Sequence, residues 1–207
     1  MRAPFLSVYT ASIPSHLRVR GVFPSLRDEE ISACTSEKVQ KEKYCVWKLL
    51  EYALFHSFGK RIEEISFTKS EDGKWSCDFC HFSLSHSGGA IAVAVSDSPV
   101  GVDIERLAAV KNEGRIAEKI LTDAEMEEYR RLALSPKRAS EFLLEAWTQK
   151  ESLFKTGAYP KFIPSRIDGA ENVQTRQIDV DGETYILSVA SKDALQAKFF
   201  ENSPYAQ

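Results

Sequence analysis

Long apolar runs and an excess of either charge are both missing from this sequence. No stretch of 18 apolar residues occurs, so we expect no membrane-spanning helix. The first ten residues, MRAPFLSVYT, lack the apolar core of a signal peptide. The chain has 27 Lys and Arg against 30 Asp and Glu, and this net charge of −3 argues against a broad nucleic-acid surface. We therefore expect a cytoplasmic protein with neither a membrane nor a nucleic-acid partner.

Cysteine is also scarce, with four in 207 residues. In a chain without a secretion signal these are expected to be reduced thiols. Cys77 and Cys80 form a single CxxC, and no second ligand pair stands at a spacing suited to zinc. Thiols in a strand or loop are therefore favoured over a metal site.

The hydrophobic periodicity predicts an α+β fold. Apolar residues at helical spacing predict long helices at 36–58 and 137–156, and alternating residues predict three strands between 82 and 105. A D-G turn at 181–182 predicts a hairpin in the last third of the chain. Antiparallel hairpins beside segregated helices are typical of α+β proteins. A strand at 62–67 and a closing helix from 191 or 192 to about 201 are also predicted.

Two carboxylates lie on one face of the third predicted strand. Alternate strand residues share a face, so Asp103 and Glu105 point the same way. They stay ionised together at low cost only when exposed to water or bridged by a cation. An exposed acidic edge is the simpler interpretation of this pair alone, while its oxygen atoms also suit Mg²⁺.

The helix predicted at 137–156 contains a lysine in its apolar arc. Lys150 falls among apolar neighbours, where an ammonium group needs a partner, a route to solvent or a bound anion. Glu151 and Lys155 lie at the edge of the arc, and their i,i+4 spacing alone stabilises a helix by about 0.2–0.5 kcal/mol.

These features together indicate chemistry on a phosphate ester. Three carboxylates could hold Mg²⁺, and two lysines could hold phosphate oxygens. The turn at 85–89, SHSGG, adds hydroxyls, an imidazole and backbone N–H groups that suit an anion.

Three ordered motifs resemble those of one known family. Residues 82–87 read FSLSHS, residues 101–105 read GVDIE and residues 147–155 read WTQKESLFK. In this order and spacing they resemble the 4′-phosphopantetheinyl transferases in their longer, single-chain Sfp-type form. The resemblance covers the chain from about residue 35 to about residue 160.

The resemblance implies an enzyme that moves the phosphopantetheine group of coenzyme A onto a serine of a carrier protein and releases adenosine 3′,5′-bisphosphate. It implies that Asp103, Glu105 and Glu151 hold Mg²⁺, with Mn²⁺ as an alternative. Glu151 or a metal-bound water would deprotonate the serine, and Lys155 would neutralise phosphate and assist the leaving group.

The resemblance also implies a set of coenzyme A contacts. Those residues would be Lys43, Lys74, Ser85, His86, Asp103, Lys150 and Lys155. Two departures concern the nucleotide end of the site: Lys43 stands where relatives often have an arginine, and Trp75 where they have a proline.

The resemblance further implies a monomer built from two similar α+β halves related by a pseudo-twofold axis. The halves would be residues 1–106 and 107–207, with the active site in the cleft between them. The partner would be an apo acyl or peptidyl carrier protein of fatty-acid, polyketide or nonribosomal-peptide synthesis.

Two other functions remain as alternatives. A Mg²⁺-dependent nuclease would use an E-x-K arrangement on the strand, but Leu107 stands where that lysine is needed. A non-catalytic module that binds coenzyme A or a carrier domain would bind without turnover.

Overall fold

A computed structural model describes residues 4–17, 24–71, 73–108, 112–168, 172–193 and 196–201. These residues form an α+β fold, so the predicted fold class is confirmed. The strands are β1 Leu6–Ser12, β2 Phe67–Lys69, β3 Trp75–Cys77, β4 His81–Ser87, β5 Ala90–Ser96, β6 Val100–Arg106, β7 Val173–Val180, β8 Glu183–Ser191 and β9 Ala197–Phe200. The helices are α1 Ser25–Ser32, α2 Glu37–Phe58, α3 Glu113–Ile120, α4 Asp123–Leu132 and α5 Pro136–Lys155.

The first sheet has the strand order β4-β5-β1-β9 and packs against α2. Strand β5 runs antiparallel to both of its neighbours, and β9 runs parallel to β1. Every residue of β5 is buried because both of its faces are covered. Its isoleucine and two valines join the core around α2, and its three alanines join the core shared with the second sheet.

The second sheet has the order β6-β8-β7, and all of its pairings are antiparallel. Val102 and Ile104 of β6 enter the core shared with the first sheet. The opposite face of this sheet meets α5, where Thr148 Oγ1 hydrogen-bonds to Ser188 Oγ of β8 at 2.8 Å. The two sheets therefore lie between the two long helices.

The ends of α2 follow the signals in the sequence. The hydroxyl of Ser36 accepts a hydrogen bond from the N–H of Val39 at 3.4 Å, which caps the first turn. Gly59 ends the helix with a left-handed φ of 68°. The helix predicted at 36–58 is confirmed.

The predicted closing helix is wrong where its residues are described. Residues 197–200 form β9, which pairs with β1, and residues 194 and 195 lie outside the described part of the chain. Phe200 stacks on Tyr9 with ring centroids 4.7 Å apart, whereas Phe199 packs against the core between the sheets. Pairing and packing at both faces override the helical preference of the sequence.

The strand predicted at 62–67 is also largely wrong. Ile62–Glu64 form a short 3₁₀ helix that buries Ile62, and the strand β2 begins only at Phe67. Strand β2 pairs antiparallel with β3, although Asp72 of the turn between them lies outside the described residues.

None of the helices in the described segments combines the length and apolar character that crossing a membrane requires.

Candidate active site

Strand β6 and helix α5 meet at Gly101. A Cβ atom at this position would lie 1.9 Å from the carbonyl oxygen of Ser152 and 2.9 Å from Cβ of Lys155. Only glycine allows the helix backbone to approach the strand this closely. The first residue of the GVDIE motif therefore sets the distance between the two elements that carry the acidic and basic side chains.

This contact brings together the side chains that the two motifs predicted. Asp103 and Glu105 on β6 and Glu151 and Lys155 on α5 line one pocket of about 250 Å³. The other residues that line this pocket are Leu84, Ser85, His86 and Trp147.

Asp103 is the most buried acid of the pocket, with 5% of its surface exposed. Its Oδ1 accepts hydrogen bonds from Lys155 Nζ at 2.7 Å and from Ser85 Oγ at 2.8 Å. Its Oδ2 is buried and has no hydrogen-bond partner among the described residues. A buried carboxylate oxygen without a donor is costly, so this atom is suited to a ligand that supplies positive charge.

Lys155 is held at three acceptors. Besides Asp103, its Nζ donates to the carbonyl oxygen of Val102 at 3.1 Å and contacts Ser85 Oγ at 3.4 Å. The Lys155 side chain is 27% exposed and lines the pocket, so it can still meet a ligand.

The two glutamates have raised pKa values. Burial raises the pKa of Glu105, the nearby Asp103 raises it further, and the hydrogen bond from Ser87 Oγ at 2.6 Å opposes this shift. Burial also raises the pKa of Glu151, which Lys155 lowers and the two other carboxylates raise. Both pKa values are raised mainly because burial disfavours the charged carboxylate, and the neighbouring carboxylates add to this effect.

The donor types in this pocket fit a hard divalent cation. Three carboxylates face one pocket and one of their oxygens lacks a partner, which suits Mg²⁺. Within the described ranges, however, no three Asp, Glu, His or Cys side chains stand close enough to hold a metal ion as they are. A cation would have to draw Glu105 and Glu151 toward Asp103, whose Oδ1 is already paired with Lys155.

Three serines of β4 connect the first sheet to β6 of the second. The hydroxyls of Ser83, Ser85 and Ser87 accept hydrogen bonds from successive alternate N–H groups of β6. The donors are Val102 at 3.0 Å, Ile104 at 3.3 Å and Arg106 at 3.4 Å. Sequence reasoning missed this serine ladder, although the alternating serines of HFSLSHS carry its signal.

The ladder also orients the acids. Ser85 donates to Asp103 and Ser87 donates to Glu105, so each hydroxyl binds a backbone N–H and a carboxylate at once. Both carboxylates are thereby fixed from β4, a strand of the other sheet.

His86 and Lys74 lie at the rim of the site. His86 Nδ1 is 3.7 Å from Glu42 Oε2 of α2, and burial lowers the pKa of the imidazole. Lys74 Nζ donates to the carbonyl oxygen of Lys155 at 2.9 Å, at the end of α5. Lys74 and Lys155 both line a neighbouring pocket of about 420 Å³.

Lys43 does not line this pocket. Its Nζ is 2.7 Å from Glu30 Oε1, and Glu30 also pairs with Arg27 at 3.0 Å and Lys69 at 3.1 Å. Burial would raise the pKa of Glu30, but hydrogen bonds from Lys43 and Lys69 outweigh burial and lower it to about 2. Lys43 is thus committed to an ion pair away from the carboxylates.

Lys150 is also not brought to the site. Its side chain is 3% exposed, and its Nζ donates to Glu125 Oε2 at 2.5 Å and to the carbonyl oxygens of Ile120 and Pro164 at 3.0 and 3.1 Å. Lys150 can lie in the apolar arc because its ammonium group pairs with Glu125 of α4, rather than with a bound anion or with solvent. The expected phosphate contact therefore has no support in this arrangement.

The comparisons with known proteins agree with the motifs. Residues 99–187 match the family model described as the 4′-phosphopantetheinyl transferase superfamily. The chain is 35% identical over 117 residues to the 4′-phosphopantetheinyl transferase gsp of Aneurinibacillus migulanus, covering 56% of this chain and 48% of the relative.

Two further relatives give the same result. The 4′-phosphopantetheinyl transferase psf-1 of Bacillus pumilus is 31% identical over 111 residues, covering 52% of this chain and 46% of the relative. The 4′-phosphopantetheinyl transferase of Bacillus subtilis is 30% identical over 110 residues, covering 52% and 47%. The matched part of the chain spans about half the length of these curated relatives. The resemblance predicted from the three motifs is confirmed, because residues 99–187 match the model of the 4′-phosphopantetheinyl transferase superfamily and these relatives carry that name.

Proposed function

We propose that this protein transfers the 4′-phosphopantetheine group of coenzyme A to a serine of an apo acyl or peptidyl carrier protein. The observation that carries the proposal is the pocket shared by Asp103, Glu105, Glu151 and Lys155, four residues that lie within the part of the chain that matches the superfamily. The matched relatives are named for this activity.

In the proposed reaction the serine Oγ attacks the phosphorus atom that carries pantetheine. A new P–O bond forms, and the bond from that phosphorus to the bridging oxygen of the pyrophosphate breaks. Adenosine 3′,5′-bisphosphate leaves with the bridging oxygen, and the serine proton is lost. Such transfers depend mainly on positioning and on neutralising phosphate charge.

Glu151 is the proposed general base for the serine proton. Its raised pKa makes it a stronger proton acceptor than an ordinary glutamate, and Lys155 one helical turn away limits the shift. Lys155 is proposed to neutralise the leaving phosphate, since its ammonium group is already held at the pocket wall.

Asp103, Glu105 and Glu151 are the proposed ligands of Mg²⁺, with Mn²⁺ as an alternative. The cation would supply charge neutralisation at the pyrophosphate when bound. The carboxylate oxygens and the unpartnered Oδ2 of Asp103 support this assignment by their chemistry.

Ser85, His86 and Lys74 are the proposed contacts of the coenzyme A phosphates, since Ser85 and His86 line the pocket of the acids and Lys74 lines the neighbouring pocket. Lys43 would have to share its ammonium group with Glu30 to reach a nucleotide phosphate. We do not include Lys150 in the proposed site.

We also propose that residues 1–106 and 107–207 are two similar halves related by a pseudo-twofold axis, with the active site between them. Each sheet carrying one long helix supports this proposal. Strands are exchanged across the boundary: β6 pairs with β8 of the second sheet, and β9 pairs with β1 of the first. We propose a cytoplasmic monomer that acts without nucleic acid or membrane.

Intact mass spectrometry of an apo carrier protein incubated with this protein, coenzyme A and Mg²⁺ tests the proposal. We expect the carrier to gain the mass of one phosphopantetheine group, and we expect EDTA to prevent the gain. If acyl and peptidyl carriers both stay unmodified while calorimetry detects coenzyme A binding, the non-catalytic binding module is correct instead.

A further inference from the structure

Cys77 and Cys80 form a close thiol pair that the proposed transfer does not use. Cys77 ends β3 and Cys80 immediately precedes β4. Their sulfur atoms are 3.9 Å apart, and Cys77 Sγ also lies 3.3 Å from the Cys80 carbonyl oxygen. A disulfide has an S–S length of about 2.05 Å, so the two sulfur atoms would have to approach each other by about 1.9 Å to form one.

The two thiols differ in access. Cys77 is partly exposed, whereas 9% of the surface of Cys80 is exposed and the residue belongs to the core under α2. A small oxidant therefore reaches the sulfur of Cys77 first. The neighbouring sulfur of Cys80 is protected from solvent but directly adjacent.

The contact between the thiols also separates their acidities. The hydrogen bond from the Cys80 thiol lowers the pKa of Cys77 to about 6, although burial opposes this shift. The same hydrogen bond and burial raise the pKa of Cys80. Cys77 is thus the more acidic thiol of the pair and Cys80 the less acidic one, which is the order of acidity that suits attack by Cys77 in thiol–disulfide exchange.

We propose that Cys77 and Cys80 are a redox-active dithiol, in which Cys77 attacks low-molecular-weight disulfides and Cys80 resolves the product. The inference does not depend on the proposed transferase activity. Metal binding by the pair is not favoured, because no third Asp, Glu, His or Cys completes a metal site with it in the segments that the structure describes.

The exchange proceeds in two balanced steps. The Cys77 thiolate attacks one sulfur of the small disulfide, a mixed disulfide forms, and one small thiolate leaves. Cys80 then loses its proton and attacks Cys77 Sγ, which closes the internal disulfide and expels the second small thiolate. The protein gives up two electrons and two protons, and one small disulfide becomes two thiols.

The pair lies next to the larger pocket of the site. Trp75 on β3 and Phe82 on β4 stand two residues to either side of the pair, and both line the pocket of about 420 Å³. An internal disulfide would tie the end of β3 to the start of β4, the strand that carries the serine ladder.

The test is titration of the reduced, native protein with oxidised glutathione, followed by acid quenching, alkylation and intact mass spectrometry. We expect the main product to lack two hydrogens and to take up two fewer alkyl groups. Cys34→Ser is the matched control and should form the same internal disulfide as wild type. Cys34 is partly exposed, its thiol donates to the carbonyl oxygen of Glu30 in α1, and it has no thiol partner at bonding distance among the described residues.

Two variants assign the roles. Cys80→Ser should accumulate a glutathione adduct on Cys77, because no resolving thiol remains. Cys77→Ser should form neither that adduct nor the internal disulfide. Cys45, which is 2% exposed, should not react with oxidised glutathione, and its lack of reaction shows that the protein remained folded during the titration.

Three results would overturn the proposal. They are a stable glutathione adduct on wild-type Cys77 without an internal disulfide, modification confined to Cys34, and a lack of any reaction at glutathione potentials that oxidise ordinary CxxC dithiols.

Discussion

Asp103 is the carboxylate of the site that is in direct contact with the Lys155 ammonium group. One of its oxygens is shared by the Lys155 ammonium and the Ser85 hydroxyl, and the other has no partner in the described structure. A carboxylate in this state can accept a cation through the second oxygen without first giving up Lys155. This division of the two oxygens explains how a metal and a lysine could act in one pocket.

Substitution of Lys150 distinguishes a structural role of this lysine from a phosphate-binding role. Lys150→Met removes three hydrogen bonds and leaves Glu125, which is 27% exposed, without its ion-pair partner. We expect the free energy of unfolding to fall by about 1–3 kcal/mol. Urea denaturation measures it, and calorimetry should give an unchanged coenzyme A affinity for the folded variant. Undiminished stability with weakened coenzyme A binding would restore the phosphate role of Lys150.

Glu30 makes the stability dependent on acid pH. Its pKa in the folded protein is lowered from the ordinary 4.5 to about 2, so its ion pairs contribute stability above pH 4.5 and lose it as the pH falls toward about 2. We expect wild type to be more stable than Glu30→Gln at neutral pH and this gap to close in that window. Denaturant melts of both proteins at several pH values measure the gap. A constant gap across the window would show that Lys43 and Lys69 do not hold Glu30 as described.

At the scale of elements, the site depends on how closely α5 lies on β6 and how firmly β4 holds β6. Gly101 permits the first contact, and the serine ladder provides the second. The residues that make both contacts belong to the sequence motifs: the glycine of GVDIE and the serines of FSLSHS. Some residues of the motifs, such as Gly101 and Ser83, therefore position the reactive side chains and are not reactive themselves.

Substitution of Gly101 should separate α5 from β6. Gly101→Ala puts a methyl group into the backbone of Ser152, so we expect a loss of about 3 kcal/mol or more in unfolding free energy. The matched control is Gly114→Ala in α3, where nothing lies within 4 Å, and a gain of about 0.4–1 kcal/mol is expected. Thermal and urea unfolding of both variants measure these changes. Equal stability of the two variants would contradict the close approach of the helix.

The serine ladder can be tested at its buried end. Ser83→Ala leaves the Val102 N–H without its acceptor, and we expect a loss of about 1–3 kcal/mol. Ser76→Ala is the control, because the exposed Ser76 hydroxyl hydrogen-bonds to the exposed Thr68 hydroxyl, so its effect should stay within about 0.5 kcal/mol. Urea melts compare them, and an effect of Ser83→Ala no larger than the control would argue against the ladder.

At the scale of the whole molecule, the two sheets pack closely because β5 presents alanines to the second sheet and larger residues to α2. The alternation in the sequence predicted these two faces, and periodicity predicted both long helices. The path of the chain between sheets could not be predicted in this way. The β9 segment has helical composition and becomes a strand only because the edge of β1 is available to it.

The same distinction applies to the site. Strand periodicity placed Asp103 with Glu105 on one face, and helix periodicity placed Glu151 with Lys155 on one face. Their roles in one site came from the resemblance of the three motifs to the family. The partner of Lys150 could not be predicted, because Glu125 lies 25 residues away on another helix and only tertiary packing brings the two together. Lys43 was likewise assigned by resemblance, and its ion pair with Glu30 depends on the packing of α1 on α2.

The most direct test of the central claim is the rate of phosphopantetheine transfer to an apo carrier protein by Asp103→Asn, measured by intact mass spectrometry at saturating coenzyme A and Mg²⁺. Asp123→Asn, an exposed aspartate at the start of α4, is the matched control. We expect Asp103→Asn to lose at least about 100-fold in rate, or about 2.7 kcal/mol of transition-state stabilisation, while it remains folded and the control keeps the wild-type rate. Transfer by Asp103→Asn at the wild-type rate would contradict the assignment of this pocket as the active site.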